Sequence, residues 1–495
     1  MSRLFTLPNE LIIEILLILD IIDILKWRQI CKYSNETVIN NLRLKYKIKL
    51  AFHNMLDNPA SNLTTDERIR RLSAYGNMWT HAHEKDYHEL DIGGDGVWEL
   101  SRGVIAQAKG PRSMVCVQLP SLIRQSEEKR WELPNVGIDI AEFTMDPEQD
   151  LLVLIESSPE YYYVHLRTLT RGEAHPLACK SATLERYKSV NFIYLNVKVT
   201  GDFVAVGFLP DSWMCKEELA IWNWKTGNVH LNVKGDFVYA YSFLSLDQVI
   251  VAAGETRLSG LQVISLSTSS QSASLTVEDM AKIEYDYFLR FPEISDIQHV
   301  WHVDIRSDPL PSIHSTSAPF FVDTDKRMFL LTVSDPHYGV YDSLSILISG
   351  EQLLKAINNT TVESQRDIRW KDWGLTGCFF SSILEGHDHT WLCNVYGTRL
   401  INLWDPGLPE FYILDCSKYG HPSLDTDISS EEDNNRERMF EGLAHANSPG
   451  LSFTQHGPLA VSGKLGVCDA VMMSEDNIVF VDSRESITKF YTMSL

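Results

Sequence analysis

The chain has 495 residues, of which 44% are hydrophobic, and a formal net charge of −22. Nucleic acids and anionic lipid surfaces both attract clustered Lys and Arg, so this charge opposes binding to either. The apolar share is ordinary for a globular protein and sufficient for a sizeable core. We therefore expect a globular protein that binds neither nucleic acid nor membrane.

The first segment of interest is rich in Leu and Ile. From Leu11 to Leu25, fifteen residues carry three acids, Glu14, Asp20 and Asp23. A membrane span needs roughly 18 or more apolar residues with almost no charge. Glu14 also interrupts what would be the apolar region of a signal peptide. The segment is therefore better explained as water-soluble helices than as a membrane span or a signal peptide.

Pro8 suits the first turn of a helix, where its missing N–H would have no partner. This predicts a helix from about Pro8 to Leu19, followed by short helices with Asp23 as an N-cap. The apolar side chains of the first helix form two adjacent stripes, Leu11-Ile15-Ile18 and Ile12-Leu16-Leu19. Two stripes imply two burial surfaces, and a unit of about 35 to 40 residues rarely folds alone. Part of its apolar surface should therefore contact another protein or domain.

One motif runs through this segment: Leu7-Pro8-x-Glu10-Leu11, Ile15-Leu16-x-x-Leu19, Asp23-Ile24-Leu25, Arg28 and Ile30-Cys31-Lys32. It resembles the F-box, the three-helix module that docks substrate receptors on the Skp-type adaptor of SCF ubiquitin ligases. The segment that follows, from Tyr46 through Asp66–Leu72 to Trp79, also resembles the F-box proteins that are numerous in basidiomycete fungi. Ser34 departs from the family pattern, which usually has a bulky aromatic there. Tyr33 lies one position early, where it would either fill the same space or leave adaptor binding weaker.

The resemblance implies a non-catalytic substrate-recognition subunit. It would bind the adaptor, and through it a cullin, while its β domain holds an unidentified target protein. Not every residue of the motif need touch the adaptor, since some must hold the helices together. Two rivals are an F-box scaffold without a role in ubiquitination and an enzyme with its active site at the mouth of the β domain. The docking candidates are Leu7, Pro8, Leu11, Ile15, Leu16, Leu19, Ile24, Leu25, Ile30 and Cys31.

Helical signals continue beyond this motif. Thr64 and Glu67 have the spacing of a capping box, and Tyr75 and Trp79 belong to the apolar positions that follow at helical spacing. The predicted organisation is an F-box over 1–45, a helical linker over 46–91 and a β domain over 92–495.

From residue 92 onward, short runs of β-branched and aromatic residues alternate with turn residues, which predicts an all-β body. The run Leu219–Gly227 resembles the third strand and following turn of a WD-repeat blade. At about 40 to 50 residues per blade, the domain would hold six to eight blades. We predict an α+β multidomain protein with a β-propeller, and two stacked β-sandwiches are the second choice. A rim helix is expected over Val277–Phe291, and a disordered acidic loop over about 420–450.

No motif carries recognisable enzyme chemistry. The close histidine pairs, His81/His83 and His387/His389, lack an evident third ligand for zinc. The chain has no Gly-x-Ser-x-Gly elbow and no complete phosphate loop. Eight scattered cysteines are typical of reduced thiols in an intracellular protein. We therefore expect no metal, no cofactor and no enzymatic activity, with a cytoplasmic or nuclear location.

Overall fold

The structure is a computed structural model. The residues that it describes are 7–80, 87–212, 214–254, 258–266, 276–292, 302–310, 318–334, 343–360, 366–381, 394–403, 410–416, 454–460, 468–483 and 487–494. The predicted acidic loop at about 420–450 and both histidine pairs lie outside these ranges.

Seven α-helices occur among the described residues, and five of them come first in the chain. Their bounds are α1 Asn9–Ile18, α2 Ile21–Arg28, α3 Lys32–Asn40, α4 Leu42–Phe52, α5 Thr65–Thr80, α6 Gly350–Asn358 and α7 Trp370–Gly377. Strand β1 (Met55–Asp57) lies between α4 and α5, and strand β2 (His88–Glu89) follows α5. The interval 46–91, predicted as a helical linker, therefore contains strands as well as helices, and α4 crosses the boundary predicted at residue 45.

The remaining strands follow one another along the chain. They are β3 Trp98–Ser101, β4 Val104–Lys109, β5 Ser113–Gln118, β6 Lys129–Leu133, β7 Glu142–Asp146, β8 Leu151–Ser157, β9 Tyr161–Thr168, β10 Thr183–Tyr187, β11 Phe192–Thr200, β12 Phe203–Pro210, β13 Glu217–Asn223, β14 Val229–Gly235, β15 Tyr241–Phe243, β16 Gln248–Gly254, β17 Leu258–Ser265, β18 Glu278–Asp279, β19 Tyr287–Arg290, β20 His302–Arg306, β21 Phe320–Val322, β22 Met328–Ser334, β23 Ser343–Ser349, β24 Asp367–Ile368, β25 Cys378–Ser381, β26 Val395–Tyr396, β27 Arg399–Leu403, β28 Glu410–Asp415, β29 Thr454–Ala460, β30 Ala470–Met473, β31 Asn477–Asp482 and β32 Lys489–Ser494.

These strands build the seven blades of a β-propeller. Each blade has a core of four antiparallel strands, and blades 3 and 4 each gain a parallel outer strand, β18 and β24. The blades in ring order are β3–β6, β7–β10, β11–β14, β15-β16-β17-β19, β20-β22-β23-β25, β26–β29 and β30-β31-β32-β2. The predicted fold class is confirmed, with a blade number inside the predicted range, and the two-sandwich alternative is wrong.

The ring closes by pairing the two ends of the described β domain. Strand β2 lies antiparallel to β32 as the outer strand of blade 7, with His88 opposite Thr492 and Glu89 opposite Tyr491. An outer strand contributed from the other end of the domain links the beginning of the propeller to its last blade. The residues just after α5 are therefore part of the propeller.

The WD-like run is confirmed as the third strand of a blade. Strand β13 lies third in blade 3, and Trp222 and Trp224 are buried. The indole Nε1 of Trp224 donates to the Gly201 carbonyl at 3.0 Å. In the turn that follows, Gly227 has φ +80°, a conformation that glycine adopts at little cost. The Thr-Gly pair therefore serves as the predicted turn into the fourth strand.

The rim helix predicted over Val277–Phe291 is wrong. This interval forms β18, a single 3₁₀ turn over Met280–Lys282, and β19. Strand β19 pairs with β17, and its Phe288 and Leu289 are buried. The run of aromatic residues favours a pleated, half-buried strand, and this tertiary pairing outweighs the local helical spacing.

Helix α1 begins as predicted, with Pro8 at its N-cap. The N-cap prediction for α2 is wrong, because Asp20 rather than Asp23 occupies that position and its carbonyl accepts the backbone N–H of Asp23 at 3.1 Å. Starting the helix earlier places Ile24 and Trp27 on one buried side. Asp23 lies in the first turn, where its charge complements the helix dipole.

The helices are fixed to one end of the propeller ring. Tyr75 and Trp79 of α5 pack in one apolar cluster with Phe320 of β21 and Phe480 of blade 7. Arg399 of blade 6 donates from Nη1 to the Tyr75 hydroxyl at 2.7 Å. Strand β1 also pairs antiparallel with β21, which lies in the connection between the first two strands of blade 5. Helices α4 and α5 are thus packed into the propeller rather than joined to it by a free tether.

No helix among the described residues is both long and apolar enough to cross a membrane.

Candidate functional site

The first four helices share a small apolar core. Helix α1 contributes one of its two stripes, because Ile12 and Leu16 are each 2% exposed. The core is formed by Ile12, Leu16, Ile24, Trp27, Val38 and Leu44. Six buried side chains are few for an independent unit, which explains why α4 continues directly into the propeller packing.

The other stripe of α1 faces outward. Leu11, Ile15 and Ile18 have exposed fractions of 51%, 40% and 84%. Ile22 on α2 and Ile30 after it are also exposed. We call Leu11, Ile15, Ile18, Ile22 and Ile30 the apolar face. Single exposed aliphatic residues are common, but five within some twenty residues indicate an interaction site.

Polar contacts hold α1 in place on α4. Lys47 of α4 donates from Nζ to the carbonyls of Leu17 and Leu19 at 2.7 and 2.6 Å, which satisfies acceptors that the end of α1 leaves without helical partners. Arg43 pairs with Glu14 at 2.5 Å between largely exposed side chains. These contacts join α1 to the helix that packs on the propeller, so the apolar face has a defined orientation.

The structure divides the ten predicted docking residues into three groups. Leu16 and Ile24 are buried in the helical core, so they support the helices. Leu7, Leu19 and Leu25 are partly buried. The exposed members are Pro8, Leu11, Ile15, Ile30 and Cys31.

Sequence reasoning did not include Ile18 and Ile22 among the docking candidates, although both are exposed on the same helical unit. Ile18 continues the stripe of Leu11 and Ile15, and this periodicity could have found it. Ile22 follows the break between α1 and α2. Its exposure depends on how the second helix packs, which a stripe on α1 does not reveal.

The space where the F-box pattern usually has an aromatic is filled differently. Ser34 is fully buried, and its hydroxyl lies 3.2 Å from the Cys31 sulfur. Tyr33 is exposed, and its hydroxyl donates to Asn9 Oδ1 at 3.4 Å. The tyrosine therefore does not replace the missing aromatic inside the helices. Instead it adds a ring to the surface beside α1.

A second candidate site lies in the central channel, where a cavity of about 130 Å³ runs along the inner strands. Three carboxyl groups line it, those of Glu99, Glu142 and Asp308. Burial raises the pKa of Glu99 to about 8 and that of Glu142 to about 7. Thr144 donates to Glu99 at 2.9 Å. Burial likewise lowers the pKa of Lys198, another lining residue, to about 8.

Perturbed carboxyl groups in a cavity are typical of functional sites but also of structural polar networks. Small-molecule sites usually have volumes of about 300 to 1,000 Å³, well above this one. The Lys198 ammonium donates to the carbonyls of Tyr241 and Ile305 at 2.6 and 2.7 Å, so it links three neighbouring blades. Within the described part of the chain, no group of His, Cys, Asp and Glu could hold a metal ion. The channel groups therefore favour a structural role more than a catalytic one.

Comparison with known proteins does not assign the chain to a family. No protein-family model and no curated protein sequence matches the chain. Similar solved structures include an uncharacterized protein from Listeria monocytogenes EGD-e, with 10% identity, coverage of 80% of this chain and 89% of that one, and a TM-score of 0.38. The WD40 domain of SCAP from fission yeast has 9% identity, coverage of 83% and 98%, and a TM-score of 0.37. The CNH domain of AfRom2 has 8% identity, coverage of 83% and 97%, and a TM-score of 0.36.

Proposed function

We propose that this chain is the substrate-recognition subunit of an SCF-type ubiquitin ligase. Its N-terminal helices dock on a Skp-type adaptor, and through it on a cullin, while the propeller holds the target protein. The observation that carries this proposal is the apolar face, because its exposed members include Leu11, Ile15 and Ile30 of the F-box-like motif. A partner that covers these side chains removes apolar area from water, which is the main favourable term in protein association.

The attachment of the helices supports the same role. A substrate receptor must hold its target at a defined position relative to the ligase, and a flexible joint would work against this. Here α5 packs against blades 6 and 7, and Arg71 donates to the Ile123 carbonyl of blade 1 at 2.9 Å. The adaptor and the target would thus be held by one packed unit.

The proposal is tested by removing two exposed members of the motif. Burying a large aliphatic side chain contributes about 1.5 to 3 kcal/mol. Leu11→Ala with Ile15→Ala should therefore weaken binding of a Skp-type adaptor by roughly two to four orders of magnitude. The measurement is pull-down of the purified adaptor by the full chain, followed by titration calorimetry.

The matched control is Leu122→Ala with Leu177→Ala, which removes two exposed leucines of the propeller. This variant should capture the adaptor as well as the parent chain does. Adaptor binding that survives Leu11→Ala with Ile15→Ala unchanged would remove the basis of the assignment. An F-box scaffold would bind the adaptor in the same way, but bound proteins would show no cullin-dependent change in level.

A further inference from the structure

The outer part of blade 2 carries a group of tyrosines that adaptor docking does not use. On β9, Tyr161 and Tyr163 lie on the side that stays half-exposed, whereas Tyr162 between them is buried. On the neighbouring edge strand β10, Tyr187 lies opposite Tyr161 and Glu185 lies opposite Tyr163. Residues opposite each other in a sheet share one face, so three rings and a carboxylate form a single patch.

The three rings are connected through Tyr161, which contacts both of the others. Tyr161 stacks on Tyr163 with ring centroids 6.0 Å apart and planes at 26°. Tyr187 meets Tyr161 edge-on at 5.6 Å, and 64% of its surface is exposed. We call Tyr161, Tyr163 and Tyr187 the tyrosine ladder. Aromatic rings that remain in water on an edge strand are costly unless a partner covers them, and tyrosine is enriched at interfaces.

The charge beside the tyrosine ladder is negative. Glu185 and Glu160 are both exposed, and no ion pair joins either carboxylate to another described residue. Glu156, which lies opposite Tyr163 on β8, is already bonded to His165 at 2.9 Å. The Glu185 carboxylate is therefore available at the ladder itself, and Glu160 adds a second exposed carboxylate one residue before Tyr161.

The nearby cations are engaged elsewhere. Lys188 donates to the Ser157 hydroxyl at 2.6 Å and lies 4.2 Å from the centroid of the buried Tyr162 ring. Arg112, which is close to Glu156, pairs with Asp139 at 2.6 Å. The patch thus combines exposed aromatic rings with carboxylates that form no ion pair with a described residue, on a chain that is already strongly acidic.

We infer that the tyrosine ladder, with Glu160 and Glu185, binds an arginine-bearing segment of the target protein. A guanidinium group is planar, so it stacks on an aromatic ring while its N–H fork reaches a neighbouring carboxylate. The ring centroids of Tyr161 and Tyr163 are 6.0 Å apart, which leaves no room for a guanidinium group between the two rings. The guanidinium therefore lies over the outward side of one ring. A lysine ammonium is a strongly hydrated point charge and gains less from the same surface.

The position of the patch agrees with the proposed function, on which this inference rests. Tyr161 follows the loop between the second and third strands of blade 2, and Tyr187 precedes the loop into blade 3. The segment that carries β21 joins the first two strands of blade 5, so it lies at the opposite end of the ring. A target on the tyrosine ladder therefore leaves the apolar face free for the adaptor.

The test uses the full chain and a fluorescein-labelled nine-residue peptide of alternating Gly and Arg. Fluorescence anisotropy should show binding of this peptide, at least threefold weaker binding of its Lys analogue and none of its Glu analogue. Tyr163→Ala with Tyr187→Ala should weaken Arg-peptide binding at least tenfold. Glu160→Gln with Glu185→Gln alters only exposed side chains, so it keeps the fold, and should weaken binding at least threefold.

The matched control is Tyr33→Ala, which removes an exposed tyrosine of α3 and should leave peptide binding unchanged. Adaptor pull-down separates this inference from the proposed function, because the ladder variants should still bind the adaptor and Leu11→Ala with Ile15→Ala should still bind the peptide. The inference is overturned if the Arg peptide does not bind, if the Lys analogue binds equally well, or if both ladder variants bind like the parent chain.

Discussion

At the scale of single residues, side-chain surroundings matter more than residue type. Glu99 and Glu142 are ordinary acids in the sequence, and nothing in their neighbourhood along the chain marks them. They become unusual because the first strands of blades 1 and 2 place both carboxyls in the central channel. The sequence does not mark Ser34 either, because its burial beside Cys31 depends on the packing of three helices.

The channel carboxyls make stability depend on pH. The folded-state pKa of Glu99 is about 8, above the value of an unfolded glutamate. Its contribution to stability is therefore complete at pH 4 and is lost as pH rises through about 8. Glu99→Gln cannot ionise and still accepts the bond from Thr144, so at pH 9 it should melt roughly 2 to 5 °C above the parent chain. Little difference is expected at pH 4.

Thermal unfolding at pH 4, 7 and 9 measures this effect. The exposed Glu127→Gln is the matched control and should melt like the parent chain throughout. If Glu99→Gln raised the melting temperature equally at every pH, this would contradict the assignment of the effect to ionisation in the channel.

At the scale of elements, periodicity predicted the existence of α1 and of its two stripes. It could not tell which stripe faces inward, because both consist of Leu and Ile. The packing of α1 against α4 decides this, and it buries Ile12 and Leu16 while leaving Leu11 and Ile15 outside. The failed helix over Val277–Phe291 has a similar cause, since pairing of β19 with β17 depends on residues far away in the chain.

The two stripes should respond differently to truncation. Ile12→Ala with Leu16→Ala removes buried side chains and should cost the helical unit about 2 to 5 kcal/mol per residue, because cavities remain. Leu11→Ala with Ile15→Ala should leave the helices folded. Hydrogen exchange measures both, with the strands of blades 1 to 4 as an internal reference. Faster exchange of α1 to α3 in Leu11→Ala with Ile15→Ala would contradict the division into core and surface. Unchanged exchange of these helices in Ile12→Ala with Leu16→Ala would contradict it as well.

At the scale of the whole molecule, short strands at regular spacing predicted the propeller, and the WD-like run at Leu219–Gly227 predicted one blade in detail. The closure by β2 could not be predicted, because two residues carry no strand signal of their own. The attachment of α5 to blades 6 and 7 was likewise hidden, since it joins Trp79 to Phe480 across some 400 residues. These contacts orient the apolar face relative to the tyrosine ladder.

The attachment of α5 has a consequence for the stability of the ring. Trp79→Ala removes a buried side chain from the cluster shared with blades 6 and 7, and should destabilise the propeller by about 3 to 5 kcal/mol. Thermal unfolding followed by the circular dichroism of the strands measures this loss. An unchanged melting temperature for the strands would show that α5 does not support the ring.

The central claim is that the apolar face is the docking surface for a Skp-type adaptor. Hydrogen exchange of the full chain, with and without saturating adaptor, tests it most directly. The account predicts slower exchange in α1 to α3 and no change in blades 1 to 4. Absence of protection in these helices, or protection confined to the propeller, would contradict the account.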